Sequence, residues 1–184
     1  HGYGNALNVR RAVEELETAG IAGLTIEDTE LPQAFGTVGS TRLISLEEGI
    51  GKMRAALDAR QDSNLVIIGR TGAPQITDIG DAVRRIKAYE AAGVDAVFIS
   101  GVKTRDQLNA LCEAVSLPVM LGGSGFGPAD RETLGSMGVR VSLQGHYPFM
   151  AAVQATYETL KALRAGTAPE DITGTASGDT MKHL

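Results

Sequence analysis

Ionisable side chains follow several short apolar runs of this 184-residue chain. Glu27 and Asp28 close one run, and Arg70 stands near the end of the next. His146 follows the last such run. If the runs are parallel strands, their carboxyl ends meet at one edge of a sheet, which is where parallel α/β folds place their chemistry. We therefore expect Glu27, Arg70 and His146 to converge there.

Each of these residues also has a plain structural interpretation. Acidic and basic residues at strand ends commonly pair, so Glu27 and Arg70 could form an ordinary salt bridge. His146 could equally be a structural histidine with a satisfied hydrogen bond. Residue spacing alone does not decide between these interpretations.

The elements that would position these residues alternate between strands and helices from residue 5 to about residue 164. The strand-like runs are apolar and largely uninterrupted, which is typical of strands buried on both faces. Strands are predicted at residues 22–27, 65–71, 96–101, 118–122 and 140–145. Apolar residues at helical spacing predict helices around residues 6–16, 50–57, 82–89, 108–115, 128–137 and 149–163.

A weak internal repeat supports equivalent βα units around one sheet. Ala19-Gly20-Ile21, Ala92-Gly93-Val94 and Met137-Gly138-Val139 each close a predicted helix with glycine just before a strand. Glycine suits this place because it readily adopts the left-handed conformation of a helix C-cap. The predicted fold class is therefore α/β, with a parallel sheet covered by helices.

Composition excludes several classes of partner. The formal charge of −5, the pI near 5.2 and the lack of a Lys or Arg run give no surface for nucleic acid or an anionic membrane. No apolar run is long enough to span a membrane. The single cysteine, Cys112, allows no disulfide within the chain and is interpreted as a buried structural thiol. We expect a cytoplasmic protein with a small-molecule partner.

Two segments carry a resemblance to a known family. Residues 2–11 read Gly-Tyr-Gly-Asn-Ala-Leu-Asn-Val-Arg-Arg, and residues 19–29 read Ala-Gly-Ile-Ala-Gly-Leu-Thr-Ile-Glu-Asp-Thr. Together they resemble the core motif of the isocitrate lyase and phosphoenolpyruvate mutase superfamily. The resemblance covers nearly all of residues 1–164 and continues through residues 46–49, 52–56, 68–71 and 92–96.

The resemblance implies a (β/α)₈ barrel of the TIM type. Such a barrel takes about 250 residues, so residues 1–164 would form its C-terminal portion, with about five strands. The N-terminal strands, on the order of 80 to 90 residues, would be absent. Residues 165–184 would be a C-terminal tail, mobile or used for subunit contact. Relatives are commonly tetramers that exchange their last helix, so a homo-oligomer is expected, with residues 147–164 packed on a neighbouring subunit.

The resemblance also implies roles for two of the three candidate residues. Glu27 corresponds to a magnesium ligand, usually through water, and the family's paired aspartates would lie just upstream of His1, outside this chain. Arg70 corresponds to the cation that receives a substrate carboxylate or phosphonate. Physical chemistry agrees, because Mg²⁺ prefers oxygen ligands and the planar guanidinium fork matches a carboxylate. Mn²⁺ is a possible substitute.

The sequence of the loop after the first predicted strand narrows the range of activities that the resemblance allows. Lyases of 2-hydroxy tricarboxylates carry Lys-Lys-Cys-Gly-His there, whereas residues 31–42 of this chain lack cysteine, histidine and lysine. The Leu-Pro-x-x-Phe-Gly pattern of residues 31–36, and Gly145-His146, resemble the oxaloacetate decarboxylase branch. The chain departs from that branch at residues 121–127, Leu-Gly-Gly-Ser-Gly-Phe-Gly, where the branch has a tyrosine. This loop could bind an anion or could be a simple turn.

These observations favour a magnesium-dependent carbon–carbon lyase that acts on a small 2-oxo dicarboxylate, most specifically oxaloacetate, yielding pyruvate and CO₂. Arg70 would orient a carboxylate, Glu27 would hold the water shell of the metal, and His146 would contact the reacting end of the substrate. One alternative is a phosphonopyruvate or phosphoenolpyruvate phosphonomutase, which shares the metal and the arginine. Another is a non-catalytic fragment or scaffold, since the metal aspartates would lie outside the chain.

Overall fold

The computed structural model describes residues 1–32, 35–36 and 41–183. The chain divides into two compact units, His1–Leu143 and Gln144–Leu184.

The first unit contains one parallel sheet of five strands in the order β1-β2-β3-β4-β5. Each strand pairs with the next one along the chain, because a helical connection returns the chain to the same edge each time. This sequential parallel order is that of a (β/α)₈ barrel, and it confirms the predicted fold class. The strands are β1 (Gly23–Glu27), β2 (Val66–Thr71), β3 (Ala96–Ser100), β4 (Val119–Gly122) and β5 (Val139–Leu143).

The helices of the first unit lie where periodicity predicts them, with one addition. The addition is α3, Ala73–Ile76, whose four residues are too few to show a helical period. The helix predicted at residues 128–137 is a 3₁₀ turn, Pro128–Asp130, followed by α6. The α-helices are α1 (Ala6–Thr18), α2 (Leu46–Ala59), α3, α4 (Ile79–Ala92), α5 (Arg105–Cys112) and α6 (Arg131–Ser136).

Local sequence explains where α1, α2, α4 and α5 begin. The side chains of Asn5, Ser45, Asp78 and Thr104 each accept a hydrogen bond from a backbone N–H of the first turn. Such caps satisfy donors that have no partner inside the helix, and each contributes about 1 kcal/mol. Gly93 closes α4 with a φ of 103°, the left-handed conformation that the repeat predicts.

The core of the first unit lies between the sheet and the helices. Strand residues contribute alternate side chains, and the helices contribute one apolar stripe each. Burying one Leu, Ile or Val side chain stabilises the fold by about 1.5–3 kcal/mol. The fully buried side chains include Val9, Val13, Met53, Ile67, Ile86, Val97, Ile99, Leu108, Leu111 and Leu121.

The second unit consists of one long helix and a short C-terminal segment. Helix α7 (Tyr147–Arg164) has Pro in its first turn and Lys161 and Arg164 in its last turn, all favourable positions. A 3₁₀ turn, Pro169–Asp171, and α8 (Gly178–Met181) follow within the predicted tail. The predicted domain boundary at residue 164 stays a prediction. Within the described residues, no helix is long and apolar enough to cross a membrane.

Candidate active site

Glu27 and Arg70 lie side by side at the carboxyl ends of β1 and β2. They are register partners in the parallel pairing, and Nε of Arg70 lies 3.0 Å from Oε2 of Glu27. The side chains therefore share one face of the sheet, as expected from the sequence. The ion pair alone also fits the plain structural interpretation, so the roles of both residues in binding stay predictions.

Among the described residues, the guanidinium of Arg70 has an ion pair and a ring contact. Its Nε pairs with Glu27, and its Cζ lies 4.8 Å from the centroid of the Phe98 ring. Among the described residues, no hydrogen bond or ion pair uses Nη1 or Nη2 of Arg70. With 37% of the side chain exposed, that end can receive a carboxylate through two parallel hydrogen bonds.

Lys52 places a second cation near this ion pair. It lies on α2 and is 3% exposed, and its charge interacts with Glu48, Glu27 and Asp28. Burial lowers the pKa of the Lys52 ammonium. Lys52 is not among the residues predicted from the sequence, although residues 49, 52, 53 and 56 recur at helical spacing and indicate that it faces the core.

Asp28, next to Glu27, belongs to a buried polar network. Its Oδ2 accepts hydrogen bonds from Nη1 of Arg85 at 3.1 Å and from the Tyr89 hydroxyl at 2.7 Å. Arg85 also donates to Oδ2 of Asp81 at 2.8 Å and to the Ile44 carbonyl at 3.1 Å. Burial raises the pKa of Asp28.

This network fixes the backbone next to the candidate metal ligand. The N–H of Asp28 donates to the carbonyl of Arg70 at 3.3 Å, and the Asp28 carbonyl accepts from Ile44 at 2.9 Å. The end of β1 is thereby held from both sides. Nothing in the local sequence of residues 27–28 indicates Arg85 or Tyr89 as partners, because they lie 57 and 61 positions away.

His146 lies in the second unit, where it is exposed and occupies the N-cap position of α7 without a capping hydrogen bond from its side chain. Gly145 before it has a φ of 76°, a left-handed conformation that suits glycine and lets the chain turn after β5. The convergence of His146 with Glu27 and Arg70 stays a prediction.

The glycine-rich loop after β4 uses two of its N–H groups within the protein. Gly125 donates to the Val102 carbonyl at 3.3 Å, and Gly127 donates to Oδ2 of Asp130 at 3.0 Å. An anion would need such donors to be free. These hydrogen bonds favour the turn interpretation. In the decarboxylase-like loop, residues 33, 34 and 37–40 lie outside the described residues.

The described residues do not by themselves complete a metal site. They contain no group of three or more His, Cys, Asp or Glu side chains placed to hold a metal ion. Glu27 supplies a single carboxylate, which suits contact with a hydrated ion but not a whole ligand set.

Comparison with known proteins identifies the family to which this fold and site belong. The sequence profile of the phosphoenolpyruvate phosphomutase family matches residues 1–164. The chain belongs to that family, as the resemblance predicted.

Individual relatives extend this assignment. An oxaloacetate decarboxylase of Bradyrhizobium sp. (strain ORS 278) is 56% identical over 184 residues, which is 100% of this chain and 64% of the relative. The chain thus spans about 64% of the length of the curated relatives that it matches. The name of this relative is that of the branch which residues 31–36 and Gly145-His146 indicate.

Solved structures show the same fold. The phosphoenolpyruvate phosphomutase of Streptomyces platensis subsp. rosaceus has a TM-score of 0.83 and 30% identity, covering 99% of this chain and 66% of that one. A phosphonopyruvate hydrolase in complex with oxalate and Mg²⁺ has a TM-score of 0.78 and 30% identity, covering 99% of this chain and 65% of that one. A divalent metal is therefore compatible with this fold.

Proposed function

We propose that the intact protein is a metal-dependent carbon–carbon lyase that converts oxaloacetate to pyruvate and CO₂. The observation that carries the proposal is the geometry of Arg70, whose Nη1 and Nη2 are unpaired among the described residues while Nε is held by Glu27. The name of the 56% identical relative supports the same activity.

Decarboxylation breaks the bond between C3 and C4 of oxaloacetate. The electron pair of that bond passes into an enolate, CO₂ leaves, and a proton is then added at C3 to give pyruvate. The leaving carboxylate is already ionised near neutral pH, so no base is needed to start the reaction. Arg70 would bind the other carboxylate and hold the substrate in place.

Mg²⁺ is the metal we propose, with Mn²⁺ as a substitute. When bound, such an ion polarises the 2-oxo group of the substrate. Glu27 would contact the water shell of the ion, since its carboxylate lies at the strand ends. The aspartates that the resemblance places upstream of His1 would supply the missing ligands.

Three further parts of the proposal concern the second unit and the whole protein. His146 would contact the reacting end of the substrate. The protein would be a cytoplasmic homo-oligomer in which α7 packs on a neighbouring subunit. The exposed apolar side chains of α7 support this packing: Tyr147, Phe149, Met150, Val153, Tyr157 and Leu160.

A phosphonomutase is the second candidate function. The phosphoenolpyruvate phosphomutase structure with a TM-score of 0.83 favours it. A phosphonate would use the same metal and the same end of the Arg70 guanidinium.

An assay of the full-length protein with oxaloacetate and with phosphonopyruvate separates these functions. We expect pyruvate to form from oxaloacetate faster than in protein-free solutions containing the same Mg²⁺, and we expect no turnover of phosphonopyruvate. Turnover of phosphonopyruvate alone would support the phosphonomutase. Turnover of neither substrate would favour a non-catalytic scaffold.

A further inference from the structure

Phe98, on the central strand β3, contacts Arg70, the candidate carboxylate receptor. In the pairing of β2 with β3, Phe98 is the register partner of Arg70. Its ring centroid lies 4.8 Å from Cζ of Arg70, and the residue is 6% exposed. This distance is within the range of a cation–π contact, in which the negative face of the ring attracts the guanidinium.

Gly122 on β4 makes room for the ring. A Cβ atom at Gly122 would lie 2.6 Å from Cε2 and 2.7 Å from Cζ of Phe98, closer than real side chains approach. Gly122 does not have the positive φ that explains many glycines. Space for the Phe98 ring is therefore the reason that a side chain does not fit here.

Arg70 needs this support because its ion pair alone leaves it free to turn. The contact of Nε with Glu27 fixes one edge, but the plane of the guanidinium could still rotate about that edge. The ring restricts this rotation, because it attracts the guanidinium whose Cζ lies 4.8 Å from the ring centroid. Among the described residues, neither Nη1 nor Nη2 has a hydrogen-bond or ion-pair partner, so both can donate to a ligand.

We propose that Phe98 is a positioning residue for Arg70, and that Gly122 is the residue that allows Phe98 to take this position. The ring holds the guanidinium in the plane in which Nη1 and Nη2 donate to a small carboxylate ligand. This inference rests on the proposed role of Arg70 as the carboxylate receptor. Simple filling of the core would require the volume of Phe98 but not the charge distribution of its ring.

Stepwise fluorination of Phe98 in the full-length protein changes the electrostatic potential of the ring face while keeping its shape nearly constant, and so tests whether that potential matters. One, two or three fluorine atoms weaken the negative potential of the ring face. We expect the Kd of oxalate, measured by calorimetry with Mg²⁺ present, and the KM of oxaloacetate to rise in steps, by about fivefold to tenfold in total. The kcat and Tm should change little. A flat series would overturn the inference.

A double-mutant cycle with standard amino acids provides a second test. Gly122→Ala and Phe98→Leu should each raise the KM of oxaloacetate about fivefold. Their effects should not add, because the methyl group introduced by Gly122→Ala acts only by displacing the ring. The control Gly51→Ala, in α2 with no atom within 4 Å of the added Cβ, should leave KM unchanged. Additive effects of the two substitutions would contradict the proposed mechanism.

A crystal structure of the full-length Phe98→Leu variant shows the orientation of the Arg70 guanidinium independently of activity. We expect the guanidinium to adopt another orientation or several orientations. A single unchanged orientation would overturn the inference. If the unaltered protein neither binds oxalate nor consumes oxaloacetate, the proposed function fails, and the orientation of Arg70 still decides the role of Phe98. If the unaltered protein is active and the fluorinated series is flat, the function stands and the inference fails.

Discussion

The planar guanidinium of Arg70 has two contacts within the protein and one unpaired end. Its Nε forms an ion pair with Glu27, its Cζ lies over the Phe98 ring, and its Nη end is unpaired among the described residues. Arginine is suited to this arrangement because its guanidinium is rigid, permanently charged and able to stack on a ring. The chemistry of the site at this scale therefore depends on the shape of the cation as well as its charge.

Replacing Arg70 with lysine tests the importance of that shape. An ammonium ion cannot reproduce a bidentate fork, so Arg70→Lys should lower kcat/KM for oxaloacetate about 10- to 100-fold. Steady-state kinetics of the full-length protein measure this. The matched control is Arg11→Lys, at an exposed arginine paired with Glu15 on α1. Unchanged kinetics in Arg70→Lys would show a purely structural ion pair.

His146 is tested by two substitutions with different consequences. If it contacts the reacting end of the substrate, His146→Ala should lower kcat/KM about 10²-fold, since about 2.7 kcal/mol of transition-state stabilisation would be lost. Because His146 is exposed, the Tm should hardly change.

His146→Gln keeps a polar side chain that does not ionise in the working pH range. Near-normal turnover with glutamine would point to positioning alone. Near-normal turnover with alanine would remove His146 from the site.

At the scale of the elements, α4 ties the ends of β1 and β2 to the rest of the first unit. Tyr89 and Arg85 reach from α4 to Asp28. Tyr89 fits because Gly49 and Gly69 have no side chains. A Cβ atom at Gly49 would lie 2.7 Å from the Tyr89 hydroxyl oxygen, and a Cβ atom at Gly69 would lie 3.1 Å from the Tyr89 Cβ. The strand that carries Glu27 is thus held by a helix more than 50 residues away.

The hydroxyl of Tyr89 should contribute measurably to this attachment. Tyr89→Phe removes the 2.7 Å hydrogen bond to Asp28 and leaves a buried carboxylate with fewer donors. The free energy of unfolding should fall by about 1–3 kcal/mol in urea titrations. Tyr3→Phe, at an exposed tyrosine outside α7, is the control and should have almost no effect. Equal stability of the two variants would argue against the network.

Asp81 makes the stability of α4 depend on pH. Burial raises the pKa of Asp81, but hydrogen bonds from Arg85 and Thr77 outweigh burial and hold the pKa below its ordinary value. A carboxyl group whose pKa is lower in the folded state adds stability above its unfolded pKa of about 3.9. That stability is lost as the pH falls through the folded value.

Asp81→Asn should therefore be less stable than the unaltered protein near neutral pH, by about 1–3 kcal/mol. The difference should shrink as the pH falls below about 4. Asp28 has the opposite shift and is present in both proteins, so it does not produce the difference. Urea titrations across this pH range measure it. Asp179→Asn, at an exposed aspartate, should show no such trend. A difference independent of pH would contradict the argument.

At the scale of the whole molecule, the described residues supply the anion-binding half of the proposed site more completely than the metal-binding half. Arg70 is positioned by two strands, whereas Glu27 lacks partner carboxylates suited to a metal among the described residues. The chain spans about 64% of its curated relatives, so activity is a property to be measured on the full-length protein.

Activity of the full-length protein should require a divalent metal. Oxygen ligands suit hard cations, so exhaustive chelation should abolish turnover, and Mg²⁺ or Mn²⁺ should restore it. Glu27→Gln should raise the Mg²⁺ concentration needed for half-maximal activity about tenfold or more. The exposed residue Glu132 on α6 provides the control Glu132→Gln. Full turnover after chelation would rule out the metal.

Much of the fold is determined by short-range features of the sequence. Short apolar runs predict all five strands, and apolar residues at helical spacing predict the longer helices, because each pattern depends on a stretch of adjacent residues. Asn5, Ser45, Asp78 and Thr104 mark helix starts for the same reason. The pairing of Glu27 with Arg70 follows from the shared edge of parallel strands and needs no knowledge of side-chain packing.

Only the tertiary structure decides which distant side chains meet. Arg85 and Tyr89 contact Asp28 because α4 packs beside β1 and β2, and no local pattern specifies that contact. The approach of Phe98 to Gly122 likewise depends on the lateral pairing of β3 with β4. A residue type reveals what a side chain can do, but its partners are set by packing between elements far apart in the chain, where space and charge must be satisfied together.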